Sequence, residues 1–156
     1  MKLAPGICLV FCVVCAAKLA AQTVDLFYIG TWKFSGAVAA PWADPKQKPD
    51  GADKARLLGK TVVVSAKRIT GPTPIACAMP HYKISDYPPD MVFHGAFAEM
   101  QSKDSTVDPS SIAGSLGFSG ARIRTLETGC EIDLHFVDAT TAEIAVNETI
   151  YTLKKQ

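Results

Sequence analysis

The side chains that could do chemistry are densest between Met79 and Asp90. Within these twelve residues the chain carries one histidine, two tyrosines, two aspartates and three prolines. Prolines restrict the backbone, and tyrosines supply contact area at a small cost in conformational entropy, so this composition is typical of a loop that binds a protein or a ligand. In the alternative, the tyrosines pack over one end of a barrel and the carboxylates cap turns. The candidate binding residues are His81, Tyr82, Asp86, Tyr87 and Asp90.

Three histidines, His81, His94 and His135, are candidates for metal binding or acid-base chemistry. His81 follows Cys77 by four residues, a spacing seen in zinc sites, but we expect that thiol to be oxidised. Asp133 and His135 share one face of a predicted strand, where such pairs are usually solvated. The glycine-flanked serines between 114 and 120 lack the Gly-x-Ser-x-Gly pattern of an exposed nucleophile. We therefore expect no metal, no cofactor and no catalysis.

The first residues of the chain have the pattern of a secretory signal peptide. Lys2 precedes an apolar run from 7 to 17, and small residues follow at 19–21. This predicts a signal peptide over residues 1–21, cleavage before Gln22 and a single mature domain over 22–156, secreted or periplasmic. The apolar run is shorter than the roughly 20 residues that a membrane-spanning helix needs. We expect no stable membrane insertion after cleavage.

Removal of the signal takes away three of the five cysteines and leaves Cys77 and Cys130. Two cysteines in an oxidising compartment usually pair, so we predict a disulfide between them. The mature chain keeps 14 basic and 15 acidic residues, a net charge of −1. These charges are scattered and form no basic stripe, which excludes nucleic acid as an expected partner.

Apolar and polar residues alternate through most of the mature chain, which indicates half-buried strands. Asp108 and Pro109 predict the start of one short helix, over about 109–117, because aspartate caps helices and proline suits the first turn. The predicted fold class is all-β: an antiparallel barrel of calycin type or a strongly bent sheet, with a β-sandwich as the alternative. Strands are predicted near residues 28–38, 62–67, 75–77, 91–100, 122–127, 130–136 and 143–153.

A long polar segment, 41–59, interrupts this pattern with three prolines. Its second half, from Asp53 to Leu58, is predicted to form one or two helical turns that Asp53 caps and Gly59 ends. Connections of this length are often functional, so the segment is either a lid over a binding site or an ordinary surface connection.

The tripeptide Gly30-Thr31-Trp32 on the first predicted strand resembles the Gly-x-Trp signature of lipocalins and their calycin relatives. The resemblance implies a barrel whose tryptophan closes one end, with the long segment 41–59 over the open mouth. It also implies a basic residue from the last strand against the tryptophan, which Lys154 or Lys155 could supply. The chain departs from that pattern in its helix, which precedes the last strands.

Two binding functions follow from this fold, and we expect an exported binding protein in either case. In one, an apolar pocket carries an apolar small molecule, as in a lipocalin. In the other, the barrel is filled and its loops bind a protein, for example as an inhibitor of a secreted enzyme. The apolar content favours a filled or small-pocket barrel. The candidate pocket or core residues are Trp32, Phe34, Val62, Val64, Phe93 and Phe97.

Overall fold

In the part of the chain that the structure describes, the alternating segments of the sequence form one antiparallel sheet of eight strands. The computed structural model describes residues 26–46 and 51–156, so the predicted signal peptide lies outside the described residues. The strands follow one another across the sheet in the order β3-β2-β1-β8-β7-β6-β5-β4. Their bounds are Gly30–Ala39 (β1), Thr61–Val64 (β2), Ile69–Thr70 (β3), Lys83–Tyr87 (β4), Ile123–Glu127 (β5), Leu134–Asp138 (β6), Thr141–Val146 (β7) and Thr149–Lys155 (β8).

The sheet curls into a half-barrel. The rings of Trp32 on β1 and Phe136 on β6 have centroids 5.8 Å apart, although two other strands separate β1 from β6. Neighbouring strands lie about 4.8 Å apart, so a flat sheet would hold these rings much farther from each other. At the open side, the Tyr82 hydroxyl donates a hydrogen bond of 2.8 Å to the Ser65 carbonyl. The prediction of an all-β, barrel-like or strongly bent sheet is confirmed.

The concave face of the sheet holds the larger of two apolar clusters. Trp32, Phe34, Val62 and Val64 are at most 1% exposed and pack in this cluster, as their alternation with polar residues predicts. The Trp32 indole N–H donates to the Tyr28 carbonyl at 2.9 Å. Of the two lysines predicted to face this ring, Lys155 does so, with its Nζ 5.6 Å from the ring centroid.

The outer face of the sheet is covered by helices. Two helices form this cover, α2 (Val92–Lys103) and α3 (Pro109–Ser115), with a 3-10 turn at Pro89–Met91 before α2. The first helix, α1 (Gly51–Leu57), instead adds Leu57 to the cluster on the concave face. The second apolar cluster contains residues of α2 and α3 together with Ile123 and Ile150 from the sheet. In the described ranges, no helix combines the length and apolar character needed to cross a bilayer.

The prediction of a strand over residues 91–100 is wrong, because α2 occupies this segment. The alternation there is short, and most residues from Ala96 to Lys103 are strong helix formers, so local preference decides for a helix. The predicted last strand, 143–153, is two strands, β7 and β8, joined at Asn147 and Glu148. Asn147 has a φ of 53°, a conformation that asparagine tolerates better than most residues, so it makes a turn without a glycine.

The short helix predicted from Asp108 and Pro109 is confirmed as α3. The Asp108 carboxylate accepts a hydrogen bond of 3.0 Å from the Ser110 N–H, which is the geometry of a helix cap. The helical turns predicted inside 41–59 are also present, as α1. There Asp53 is not a cap but an ion-pair partner of Arg56, and it accepts a hydrogen bond of 2.7 Å from the Asn147 side chain.

Candidate functional site

The beginning of α2 is a left-handed turn. Phe93, His94 and Gly95 have φ angles of 50°, 58° and 79°. Left-handed backbone is unfavourable for residues with a side chain, and for a bulky aromatic residue it is a genuine outlier. Such strain persists only where surrounding contacts impose it, and it is concentrated at binding and active sites.

His135 holds this turn in place. The Phe93 N–H donates to His135 Nε2 at 3.2 Å, and the two rings have centroids 4.5 Å apart. The other ring nitrogen, Nδ1, lies 2.8 Å from the Thr125 hydroxyl oxygen. Because Nε2 accepts a hydrogen bond, a neutral ring carries its proton on Nδ1 and donates it to Thr125. The turn is thus fastened to β5 and β6 through one imidazole.

Burial keeps the His135 ring uncharged. The side chain is 4% exposed, and this burial, with a smaller effect of His94, lowers the pKa of His135 to about 3. The sequence pattern wrongly suggested a solvated Asp133 and His135 pair, because strand alternation does not reveal that a helix covers the outer face. At neutral pH His135 is therefore an uncharged ring that positions the Phe93 backbone.

Two glutamates near this site have opposite environments. Glu143 lies directly across from His135 in the β6 and β7 pairing, and its burial raises the pKa to about 7, although Thr152 donates a hydrogen bond to it. Glu127 accepts hydrogen bonds from Ser85 at 2.5 Å and Tyr87 at 2.6 Å. These bonds, with that from Lys83, lower the pKa of Glu127 to about 2. Sequence analysis identified neither glutamate, because neither belongs to a recognisable motif.

An open groove of about 700 Å³, which we call the outer groove, lies between α2 and the segment that follows β1. A separate and smaller polar pocket of about 350 Å³, lined by Glu127, Asp133 and His135, shares His94 with this groove. The apolar lining of the outer groove includes Trp42, Phe93, Ala96, Met100 and Ala145.

The charged lining of the outer groove is acidic. It contains Glu99, Asp104 and Glu131 but one lysine, Lys103, which pairs with Glu99 at 2.7 Å. Asp104 accepts hydrogen bonds from the Thr106 N–H and hydroxyl, and these bonds lower its pKa. Over the residues that the structure describes, the groove therefore has an apolar floor and a rim with a net negative charge.

The predicted binding segment around 81–90 is largely an edge strand, β4, and not a loop. Its two tyrosines point to different faces: Tyr82 packs against the concave cluster, and Tyr87 belongs to the outer one. Alternation along a strand separates neighbouring side chains in this way. Asp86 pairs with Arg124 at 3.5 Å, His81 is exposed, and Asp90 lies in the 3-10 turn. The five residues do not converge on one site.

The six predicted pocket residues are also divided between the two faces. Trp32, Phe34, Val62 and Val64 belong to the concave cluster, whereas Phe93 and Phe97 are on α2 in the outer cluster. They therefore do not line a common pocket, because the strand predicted to carry the two phenylalanines is a helix.

The predicted disulfide between Cys77 and Cys130 is present. Among the described residues, no group of three or more histidine, cysteine, aspartate or glutamate side chains is arranged to hold a metal ion.

The left-handed conformation of the turn at residue 95 can be tested with a pair of glycine substitutions. Gly95→Ala is expected to lower the free energy of unfolding by about 1 kcal/mol, since alanine disfavours a positive φ, while a Cβ there would meet nothing within 4 Å. Gly114 on α3 has equally free space but a helical backbone, so Gly114→Ala should raise that free energy by roughly 0.5 kcal/mol. Urea unfolding of both variants checks the prediction. Equal effects at the two positions would show that residue 95 is not left-handed.

Comparison of the chain with protein-family models, with curated proteins and with solved structures finds no match in any of the three. Inference about function therefore rests on the side chains and the geometry described above.

Proposed function

We propose that this chain is an exported binding protein without catalytic activity, and that it binds its partner in the outer groove. The observation that carries the proposal is the left-handed turn at 93–95, which is fastened to His135 and borders an open groove with an apolar floor. Preformed concave sites with apolar walls and a few polar groups are the usual form of binding sites. Strained backbone at the edge of such a site supports the same interpretation.

A lipocalin-like carrier has less support. In that function the ligand would occupy the concave face of the sheet, where Trp32, Phe34 and Tyr151 are at most 1% exposed and pack on one another. The Gly30-Thr31-Trp32 resemblance is compatible with a filled barrel, because a shared fold does not determine function. Inhibition of a secreted enzyme remains one form that binding through the outer groove could take.

Export is supported by two features of the chain. The pattern of residues 1–21 is that of a secretory signal, and the Cys77–Cys130 disulfide is the form that cysteines take in an oxidising compartment. We propose a secreted or periplasmic location on these grounds.

Ligand access to the outer groove can be tested with N-phenyl-1-naphthylamine, a neutral apolar probe whose emission rises on burial. Ala96 lines the groove, so Ala96→Leu should fill part of it and weaken binding by about tenfold, equivalent to 1.4 kcal/mol. Ala98 lies on the same helix outside the groove lining, and Ala98→Leu serves as the matched control. Fluorescence titration compares the three proteins. The proposal is wrong if the wild type shows no saturable binding or if the two variants bind alike.

A further inference from the structure

Given the proposed function of the outer groove, we infer that its occupant is an extended segment of a partner protein in which basic side chains alternate with apolar ones. The inference rests on three features: the aromatic floor of the groove, its acidic rim, and a second pocket that shares His94 with it and carries two more carboxylates.

The floor is suited to apolar and cationic side chains alike. Trp42 packs against Phe93 and Phe97, with ring centroids 5.6 and 6.0 Å away, and is itself half-buried. One part of its indole is therefore supported by neighbouring rings while the rest faces the groove. Aromatic faces attract both aliphatic groups and the ammonium or guanidinium groups of basic side chains.

Among the described residues of the rim, carboxylates outnumber basic side chains. Counting ionised side chains, three carboxylates face one lysine, which leaves a charge of −2. Glu131 is exposed and directly follows the disulfide-bonded Cys130, which holds it in place beside the groove. A negatively charged rim attracts cationic partners and repels anionic ones, which affects both association rate and specificity.

The second subsite favours a polypeptide over a small cation. The neighbouring polar pocket is lined by Asp133 and by Glu127, whose charge Lys83 partly balances at 3.1 Å. Carboxylates therefore lie at the groove rim and also beyond its His94 end. A small cation would satisfy one end at a time. An extended chain with basic residues separated by apolar ones can contact both ends and the floor together, in the manner of segments that lie in open grooves.

Charge reversal at the rim tests this inference against a matched control. Glu131→Lys and Asp86→Lys change the net charge equally, but Asp86 lies outside the groove lining, where it pairs loosely with Arg124. The probes are a labelled heptapeptide of alternating leucine and lysine, a leucine–glutamate version and a serine–lysine version, followed by fluorescence anisotropy. We expect the leucine–lysine peptide to bind best, with Glu131→Lys weakening it about tenfold and Asp86→Lys less than threefold. Glu131→Gln should give an intermediate loss, and added salt should weaken wild-type binding more than Glu131→Lys binding.

The outcomes separate this inference from the proposed function. If the neutral probe binds in the groove but the lysine and glutamate peptides bind equally, the inference is overturned and the proposed function stands. The inference is also overturned if the serine–lysine peptide binds as tightly as the leucine–lysine peptide, because charge attraction alone would then explain the binding. The inference is also overturned if 1-naphthylmethylamine displaces the peptide completely and binds as tightly as the peptide does. That result would identify a small cation as the occupant. If neither the neutral probe nor any peptide binds, the proposed function itself is wrong.

Discussion

Replacing Cys77 and Cys130 together by serine is expected to lower the free energy of unfolding by up to about 4 kcal/mol, because the disulfide closes a loop of 53 residues and so restricts the unfolded chain. For a domain of this size, the thermal midpoint should fall by on the order of 10 °C. The loss of unfolding free energy is smaller than about 4 kcal/mol if other contacts hold the segment around Cys77 in place. Cys77 exchanges two backbone hydrogen bonds with Ile69, of 2.8 and 2.9 Å, which remain available without the disulfide.

Thermal and urea unfolding under oxidising conditions measure this change. The control is the effect of a reductant, which should bring the wild type close to the double variant and leave the double variant unchanged. An unaltered midpoint in the double variant would contradict the stabilising role of the bond. Because Glu131 follows Cys130, the double variant should also bind the leucine–lysine peptide less tightly.

Between pH 7 and pH 5, His135 and Glu143 are expected to change the stability of the protein in opposite directions. The pKa of His135 falls from 6.5 to about 3 on folding, so the unfolded chain takes up the proton first and stability is lost as the pH falls below 6.5. The pKa of Glu143 rises from 4.5 to about 7, so its contribution is complete below pH 4.5 and is lost as the pH rises through 7. Each change amounts to about 2 kcal/mol over this interval.

Single substitutions should reveal these two opposed contributions. Glu143→Gln resembles the protonated acid and removes its titration, so this variant should lose about 2 kcal/mol relative to wild type when the pH is lowered from 7 to 5. His135→Gln keeps an acceptor for the Phe93 N–H and should gain a similar amount over the same interval. Urea unfolding at several pH values measures both differences. Parallel curves for the two variants and the wild type would show that these buried groups do not have the assigned pKa values.

Much of the fold could be predicted because the responsible residues act locally. The alternation around Trp32 and Phe34 identifies a half-buried strand, and Asp108 followed by Pro109 identifies the start of α3. The error at 91–100 has a physical origin, since apolar residues four apart suit a helix as well as a short strand. The turn between β7 and β8 could not be predicted for a different reason. Asn147 takes the positive φ there, without the glycine that usually marks a hairpin.

The candidate site could not be predicted, because its residues come together through the packing of α2 on the outer face of the sheet. Trp42 and Phe93 are 51 positions apart in the chain, and no local pattern connects them. His135 looks like a solvent-facing strand residue until the helix covers it. The predicted binding segment contained chemically suitable side chains, but Tyr82, just before β4, and Tyr87, at the end of β4, point to opposite faces of the sheet.

The central claim, that binding occurs in the outer groove and not inside the curled sheet, can be read from two indole signals. The protein has two tryptophans: Trp42 lines the groove, and Trp32 is buried on the concave face with its N–H bonded to Tyr28. Nitrogen-15 spectra recorded during titration with N-phenyl-1-naphthylamine, and again with the leucine–lysine peptide, should show a saturable shift of the Trp42 indole and of amides in α2, while the Trp32 indole stays in place. A saturable shift of Trp32 with Trp42 unmoved would contradict the account.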